Sequence, residues 1–190
     1  MIFLTMTSVK DITNDEELDT LIGKIADGNR DALAELYELT RSGVYSFALS
    51  ILKNTHDAED VLHDCYVLVW QHAKNYTSSG KPMAWIITIT KNLCMNRLRQ
   101  HKKNADTPEE DWLIYVENHD EASPEDKLIL KECLSSLSDE ERNIVVLFAV
   151  SGFRHREIAS LLNLPLATVL SKYHRALKKL RKFMESGEQS

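Results

Sequence analysis

At 190 residues the chain is long enough for one domain or two small ones, and its 43% hydrophobic and 27% charged residues are ordinary for a soluble globular protein. No run approaches the length of a membrane-spanning helix, and the apolar patch in the opening MIFLTMTSVKD is too short for a secretory signal, with no basic residue ahead of it. A cytoplasmic location is therefore expected. The net charge of −6 argues against a generic nucleic-acid binder until its distribution along the chain is considered.

Asn14-Asp15-Glu16-Glu17 reads as a helix start, with Asn14 as N-cap and Glu17 three residues on. Leu18, Leu21, Ile22 and Ile25 follow on one face, and Asp27-Gly28-Asn29 ends the helix. A second helical region, from about Asp31 to Lys53, carries an apolar stripe that includes Leu36, Val44, Phe47 and Ile51, with Gly43 as a candidate interruption. A third helix begins at Asp57 with acids near its N-terminus, which suits the helix dipole, and buries Val61, Leu62, Cys65, Tyr66 and Val69. Thr77 to Pro82 is a loop. The fourth helix, about Met83 to Lys103, starts apolar at Trp85, Ile86 and Ile89 and finishes basic at Arg97, Arg99, Lys102 and Lys103. Its β-branched run Ile86 to Thr90 has no neighbouring strand candidate to pair with, so it is read as helix. Four such helices suffice for one bundle.

Asn104 to Asp126 holds nine acidic residues, no Lys or Arg, and two prolines. It reads as a flexible acidic linker, with an apolar island, Trp112 to Val116, suited to docking on a partner or on the protein itself. A helix from Ser123 through Leu137 follows, then a capping box at Ser138-Asp139-Glu140-Glu141. Arg142 to Lys182 carries nine Lys or Arg against Glu157 alone, a basic block of the kind that meets phosphate. Within it, Ile158, Leu161 and Leu162 make a short helix, Asn163-Leu164 breaks it, and Pro165 stands where a second helix opens. In that second helix Thr168, Ser171, Lys172, Arg175 and Lys179 share one face, and Val169, Tyr173, Ala176 and Leu180 another. This is the layout of a helix-turn-helix, with an αα-hairpin bearing a solvated basic face as the alternative.

Cys65, Cys94 and Cys133 stand singly in helical patterns and read as small buried hydrophobes; His63 with Cys65 is too few ligands for a metal site. No metal or cofactor is expected. Gly-rich phosphate loops and nucleophile–base spacings are absent from the sequence, which argues against an enzyme acting on nucleic acid.

Three segments in order, DAEDVLHDCYVLVW (Asp57 to Trp70), AWIITITKNLCMNRLR (Ala84 to Arg99) and Leu134 to Leu180, carry a resemblance. The chain resembles bacterial RNA polymerase sigma factors of the extracytoplasmic-function group of the sigma-70 family. The resemblance implies an all-α chain of two small helical domains: a four-helix region 2 bundle over 14–103 and a helix-turn-helix region 4 over 127–184, joined by the linker 104–126. It implies that Asp57, Glu59, Asp60 and Asp64 dock on a coiled coil of the polymerase's largest subunit, with its upstream-binding flap as a further contact. Asn92, Asn96, Arg97 and Arg99 match the helix that meets minus-ten DNA, and Asn75 to Lys81 matches the loop that captures an extruded base, with Tyr76 the candidate base contact. Thr168, Ser171, Lys172 and Arg175 match positions facing the minus-thirty-five element, and Lys178 and Lys179 are candidate phosphate contacts.

Leu170 replaces a usually basic residue, Lys172 a frequent Arg, Ala167 a common Gly and His63 a common Gln; these departures bear on the promoter sequence read. The expected function is that of a non-catalytic initiation subunit, tethering two weak DNA sites on one chain. A membrane-linked anti-sigma partner wedged between the domains is expected by resemblance, with no direct membrane insertion. The rival readings are a stand-alone helix-turn-helix regulator of duplex operators and a polymerase-associated protein that has lost promoter recognition. Against the first stands the N-terminal bundle, which has no ligand-pocket signature or dimer seam.

Overall fold

A computed structural model of the chain describes residues 15–78, 80–104 and 134–187. Expectations that fall elsewhere lie outside the described residues: the Asn14 cap, the acidic linker with its island Trp112 to Val116, Cys133 and the helix start at Ser123. The described residues form seven α-helices and no strand.

Helix α1 (Asp15–Ala26) places three acids in its first turn, against the positive end of its dipole, and buries Leu18, Leu21, Ile22 and Ile25. Gly28, at φ 88°, makes the turn, and Asn29 then caps α2 (Arg30–Leu52) by accepting the Ala32 N–H at 3.0 Å. Gly43 does not interrupt this 23-residue helix. It is buried, and a Cβ there would lie 3.1 Å from the Met83 Cε and 3.2 Å from the Ser151 Oγ. The small residue admits close neighbours while the helical ladder continues.

Lys53, in the left-handed region, ends α2, and Asn54 caps α3 (Thr55–His72) through the Asp57 N–H, two residues before the expected start. A single 3₁₀ turn, Ala73–Asn75, leads toward α4 (Pro82–Asn104), with Pro82 in the first turn, where its missing N–H costs nothing. The run Ile86 to Thr90 is helical as read: the hydroxyls of Thr88 and Thr90 donate to the carbonyls of Ala84 and Ile86, and Ile86 and Ile87 are fully buried.

In the second half, α5 (Asp139–Ala149) opens with the Ser138/Glu141 capping box. α6 (His155–Leu162) ends at Asn163 in the left-handed region, with the Leu164 N–H reaching back to the Ala159 carbonyl at 3.0 Å. α7 (Leu166–Gly187) buries Val169, Ala176 and Leu180, with Tyr173 half-buried beside them.

The sequence treats the two halves as separable; the structure packs them together. One apolar cluster joins Val44 and Phe47 of α2 and Ile86 and Ile87 of α4 to Ile144 and Leu147 of α5, Ile158 of α6 and Val169 of α7. α2 lies against α1, α3, α4 and α5. Lys53 pairs with Asp139 at 3.1 Å, Lys81 with Glu157 at 2.9 Å, and the Lys91 Nζ donates to the Leu161 carbonyl at 2.6 Å. Periodicity marks which residues of a helix are apolar but not which partner covers each side.

Because that cluster spans both halves, Phe47→Ala is expected to cost about 3–5 kcal/mol, as truncation of a fully buried aromatic does. It should lower a single melting transition common to both halves; a denaturation curve in which only the first half loosens would contradict the shared core.

Candidate nucleic-acid interface

The helix-turn-helix presents Ser171 and Arg175 outward, with Thr168 half-buried one turn earlier. The Ser171 hydroxyl donates to the Thr168 carbonyl at 3.0 Å. Lys172 and Lys179 sit differently. Lys172 pairs with Glu140, and Lys179 pairs with Glu141 at 2.6 Å and donates to the Ser136 carbonyl. Both acids lie in the first turn of α5, so the recognition helix is pinned to α5 through two of its five expected DNA contacts. Arg142, counted in the basic block, is buried and donates to the carbonyls of Leu134 and Leu137 and to Asp139. On α7 the outward cations not engaged by α5 are Arg175, Lys178, Arg181 and Lys182, and Leu170 is exposed on the same helix.

Glu141 is nearly buried, which by itself pushes its pKa up. The Lys179 ammonium and the Ser138 N–H outweigh that and hold it below the usual glutamate value of 4.5. Glu157 follows the same logic: burial opposes ionisation, while the Arg154 N–H and Lys81 lower its pKa overall. Asp15 shifts the other way, raised by burial and by the nearby carboxylates of Glu157 and Asp19.

Along α4, Asn92, Asn96 and Arg99 are exposed on one face, continued backward by Thr88, with Met95 exposed beside them. Spacings of four from Asn92 and Asn96 would have found Thr88 in the sequence. Arg97 points away from this row: its Nε lies 2.9 Å from Asp57, and its guanidinium also binds Asp60, while His101 Nε2 lies 2.9 Å from the other Asp57 oxygen. Two expected sites, one for DNA and one for polymerase, are thus joined in an internal cluster. The cause is topological: α3 and α4 are joined by a short connection and run antiparallel, which brings the start of one beside the end of the other.

Glu59, Asp60 and Asp64 remain exposed on α3. Beside them, a groove of about 260 Å³ between α2 and α3 is lined by Leu33, Tyr37, His63, Tyr66, Val67 and Trp70. Val67 is 41% exposed, so this surface pairs acids with an apolar floor, a combination the charge pattern alone did not reveal. Tyr76 is half-buried; its ring packs on Trp85 at 4.7 Å and its hydroxyl donates to Asp19. Ser78 donates to the same carboxylate at 2.6 Å.

Burial holds the thiols of Cys65 and Cys94 protonated, with pKa values pushed up to about 11 and about 12, as expected of packing residues. Among the described residues no group of three or more His, Cys, Asp or Glu side chains is placed to hold a metal, and no helix is long and apolar enough to cross a membrane.

A helical bundle displaying an amide- and arginine-bearing helix, followed by a helix-turn-helix, defines a DNA-binding protein of two modules. Residues 36–104 match the family described as Sigma-70 region 2, and residues 127–180 that described as Sigma-70, region 4, together more than half of the chain. The chain is 27% identical over 172 residues to the ECF RNA polymerase sigma factor SigK of Mycobacterium sp. strain KMS, covering 87% of this chain and 89% of that protein. It is 28% identical over 173 residues to SigK of Mycolicibacterium vanbaalenii, covering 87% and 88%. In fold it is similar to CnrH, solved in complex with the cytosolic domain of CnrY, with a TM-score of 0.63 and 21% identity over 88% of this chain and 97% of that one. It is likewise similar to RpoE, solved with the anti-sigma factor NepR from Bartonella quintana, at 0.63 and 19% over 80% and 96%. The chain belongs to the sigma-70 family, in its extracytoplasmic-function group. It acts with core RNA polymerase and promoter DNA to direct promoter-specific initiation, in a family of non-catalytic initiation factors.

The Glu141 anchor generates a pH prediction. Its folded pKa lies below the unfolded value, so its contribution is fully present above pH 4.5 and is lost as pH falls through the folded pKa. Glu141→Gln keeps an acceptor for the Ser138 N–H but loses the charge facing Lys179, at a cost of about 1.5–3 kcal/mol near neutrality. Melting temperature followed from pH 7 into acid should fall in the wild type and fall less in the variant; parallel curves would refute the anchor.

Proposed function

We propose that the first unit reads the minus-ten element as melted strand and the second reads the minus-thirty-five element as duplex. The observation that carries this is the exposed row Thr88, Asn92, Asn96 and Arg99 on α4, set beside Tyr76 at its N-terminal approach. Amide side chains satisfy both a donor and an acceptor on a base edge, and Arg99 supplies charge for phosphate. On α7, Ser171 and Arg175 are the direct readers, with Thr168 beside them. Lys172 and Lys179 reach DNA only by giving up Glu140 and Glu141, so their first role is to hold α7 in place.

Polymerase docks on the α3 surface, where the exposed Glu59, Asp60 and Asp64 share the helix with the groove-lining His63, Tyr66, Val67 and Trp70; Asp57 acts behind them by orienting Arg97 and His101. The units correspond to 14–103 and 127–184, with 104–126 as tether, and the protein works in the cytoplasm where polymerase is. CnrH and RpoE were solved with protein partners, and an anti-sigma partner is proposed here too. To lie between the halves it would have to part α2 from α5.

The test is run-off transcription from a pool of random promoter fragments, with protein plus core polymerase and with protein alone assayed for duplex binding. Transcripts that require both components, starting downstream of two common sequence elements, are expected. Tight sequence-specific duplex binding by the protein alone, without transcripts, would favour an operator-binding regulator instead.

The packed arrangement adds a condition. α6 engages Lys81 through Glu157 and Lys91 through the Leu161 carbonyl, both on the approach to or the flank of the α4 row. A strand laid along α4 therefore competes with α6 for these lysines. Glu157→Gln keeps an acceptor for the Arg154 N–H while removing the negative charge that faces Lys81, a partly exposed pair worth under about 1 kcal/mol. The free variant is expected to bind a minus-ten single strand a few-fold more tightly than the wild type, about the factor such a pair corresponds to; equal affinity in a fluorescence titration would count against the competition.

A further inference from the structure

Asp19 lies on α1, outside every segment that reads DNA, yet both of its carboxylate oxygens are used by one loop. Oδ1 accepts the Tyr76 hydroxyl and Oδ2 accepts the Ser78 hydroxyl at 2.6 Å. The partners are 57 and 59 residues away in sequence, so these are tertiary contacts rather than local capping. Hydroxyl donation to an ionised acceptor is the strong kind of hydrogen bond, and two donors on one carboxylate fix direction as well as distance.

The loop is tied at its two ends by backbone bonds, from the Tyr76 N–H to the Ala73 carbonyl and from the Trp85 N–H to the Lys81 carbonyl. Tyr76 also leans on Trp85, in the first turn of α4. A segment held by its side chains takes its geometry from whatever those side chains grip. For Tyr76 that grip includes Asp19 on one side and the Trp85 ring on the other.

We propose that Asp19 is a positioning residue for base selection at the minus-ten element: it sets the height and tilt of Tyr76 and Ser78, and so the pocket an extruded base enters. This rests on the reading of that loop as the one that receives the base. Asp19 touches no DNA itself. Its place on α1 matters because α1 is anchored by four buried residues, Leu18, Leu21, Ile22 and Ile25, which gives the loop a rigid support. A loop displaced by 1 Å still binds strand phosphates but no longer distinguishes one base from another or from none.

The test uses holoenzyme assembled from core polymerase and the full chain, on fork-junction DNA carrying a promoter recovered by the run-off selection. An abasic site is placed at each minus-ten position in turn, and the ratio of affinities for intact and abasic strand is measured. This ratio is insensitive to the fraction of protein folded, so a merely structural role would not move it. The wild type is expected to lose about tenfold or more at one position, the worth of a good base contact. Asp19→Ala should bring that ratio close to one while the other positions keep theirs; alanine favours the helix, so α1 persists. Tyr76→Phe, which keeps the ring on Trp85 and removes the hydroxyl, should lower the ratio in part, and the double variant should add nothing beyond Asp19→Ala.

If Asp19→Ala keeps the wild-type ratio while Tyr76→Ala abolishes it, the loop receives the base and the role assigned to Asp19 is wrong. If no abasic position is penalised in the wild type and Tyr76→Ala changes nothing, the reading of the loop itself fails, and this inference with it.

Discussion

Burial of α2 is the constraint on which the rest of the structure depends. This helix has eleven buried residues, among them Leu36, Val44, Phe47 and Ala48, and they lie on more than one side. A helix of this kind cannot satisfy its apolar surface with a single neighbour. α1, α3 and α4 cover part of it, and α5 from the other end of the chain covers the remainder. The first bundle and the helix-turn-helix unit are therefore held together by the same hydrophobic term that folds each of them. Gly43 belongs to this scheme: it sits where Met83 and Ser151 approach closest, and a larger side chain would wedge them apart.

Charge is organised by the same packing. Helix N-termini in this protein gather acids, and tertiary structure brings cations to them: Lys179 to Glu141, Lys172 to Glu140, and Arg97 to Asp57 and Asp60. Carboxylates as buried as those of Glu141 and Asp57 are costly to leave alone, so a long cationic side chain is drawn in, while Glu140 and Asp60 are exposed partners at the rim. The consequence for DNA reading is selective. The remaining outward groups include Thr88, Asn92, Asn96 and Ser171, which suit base edges, and Arg99, Arg175, Lys178, Arg181 and Lys182, which suit phosphate. A chain of net charge −6 can thus carry two DNA faces, because most of its acidic residues lie elsewhere.

Much of this was legible from residue order. The Ser138/Glu141 capping box, the break at Asn163 and the buried stripe Val169, Ala176 and Leu180 are local or periodic features, and each formed as read, whereas Pro82, read as the end of a loop, is the first residue of its helix. The choice of helix over strand for Ile86 to Thr90 also held, since the threonine hydroxyls find carbonyls one turn back. The candidate sites were legible only as faces. Asn92 and Asn96 are on the expected exposed side of α4, whereas Arg97, one residue further, is turned to Asp57 by the antiparallel pairing of α3 with α4. Helical spacing assigns a residue to a sector, but a long side chain near the edge of that sector goes to whichever partner tertiary packing supplies.

The sequence by itself determined the seven helices among the described residues, their order, the helix-turn-helix and the family, because capping, periodicity and turn chemistry act over a few residues and leave a mark in the local pattern. Only the tertiary structure decided that α2 is shared by both halves, that Lys172 and Lys179 are engaged by α5, and that Asp19 grips Tyr76 and Ser78. Those are contacts between residues far apart in the chain. Such a contact depends on where two helices come to rest against a common core, and no short window of sequence contains both of its partners.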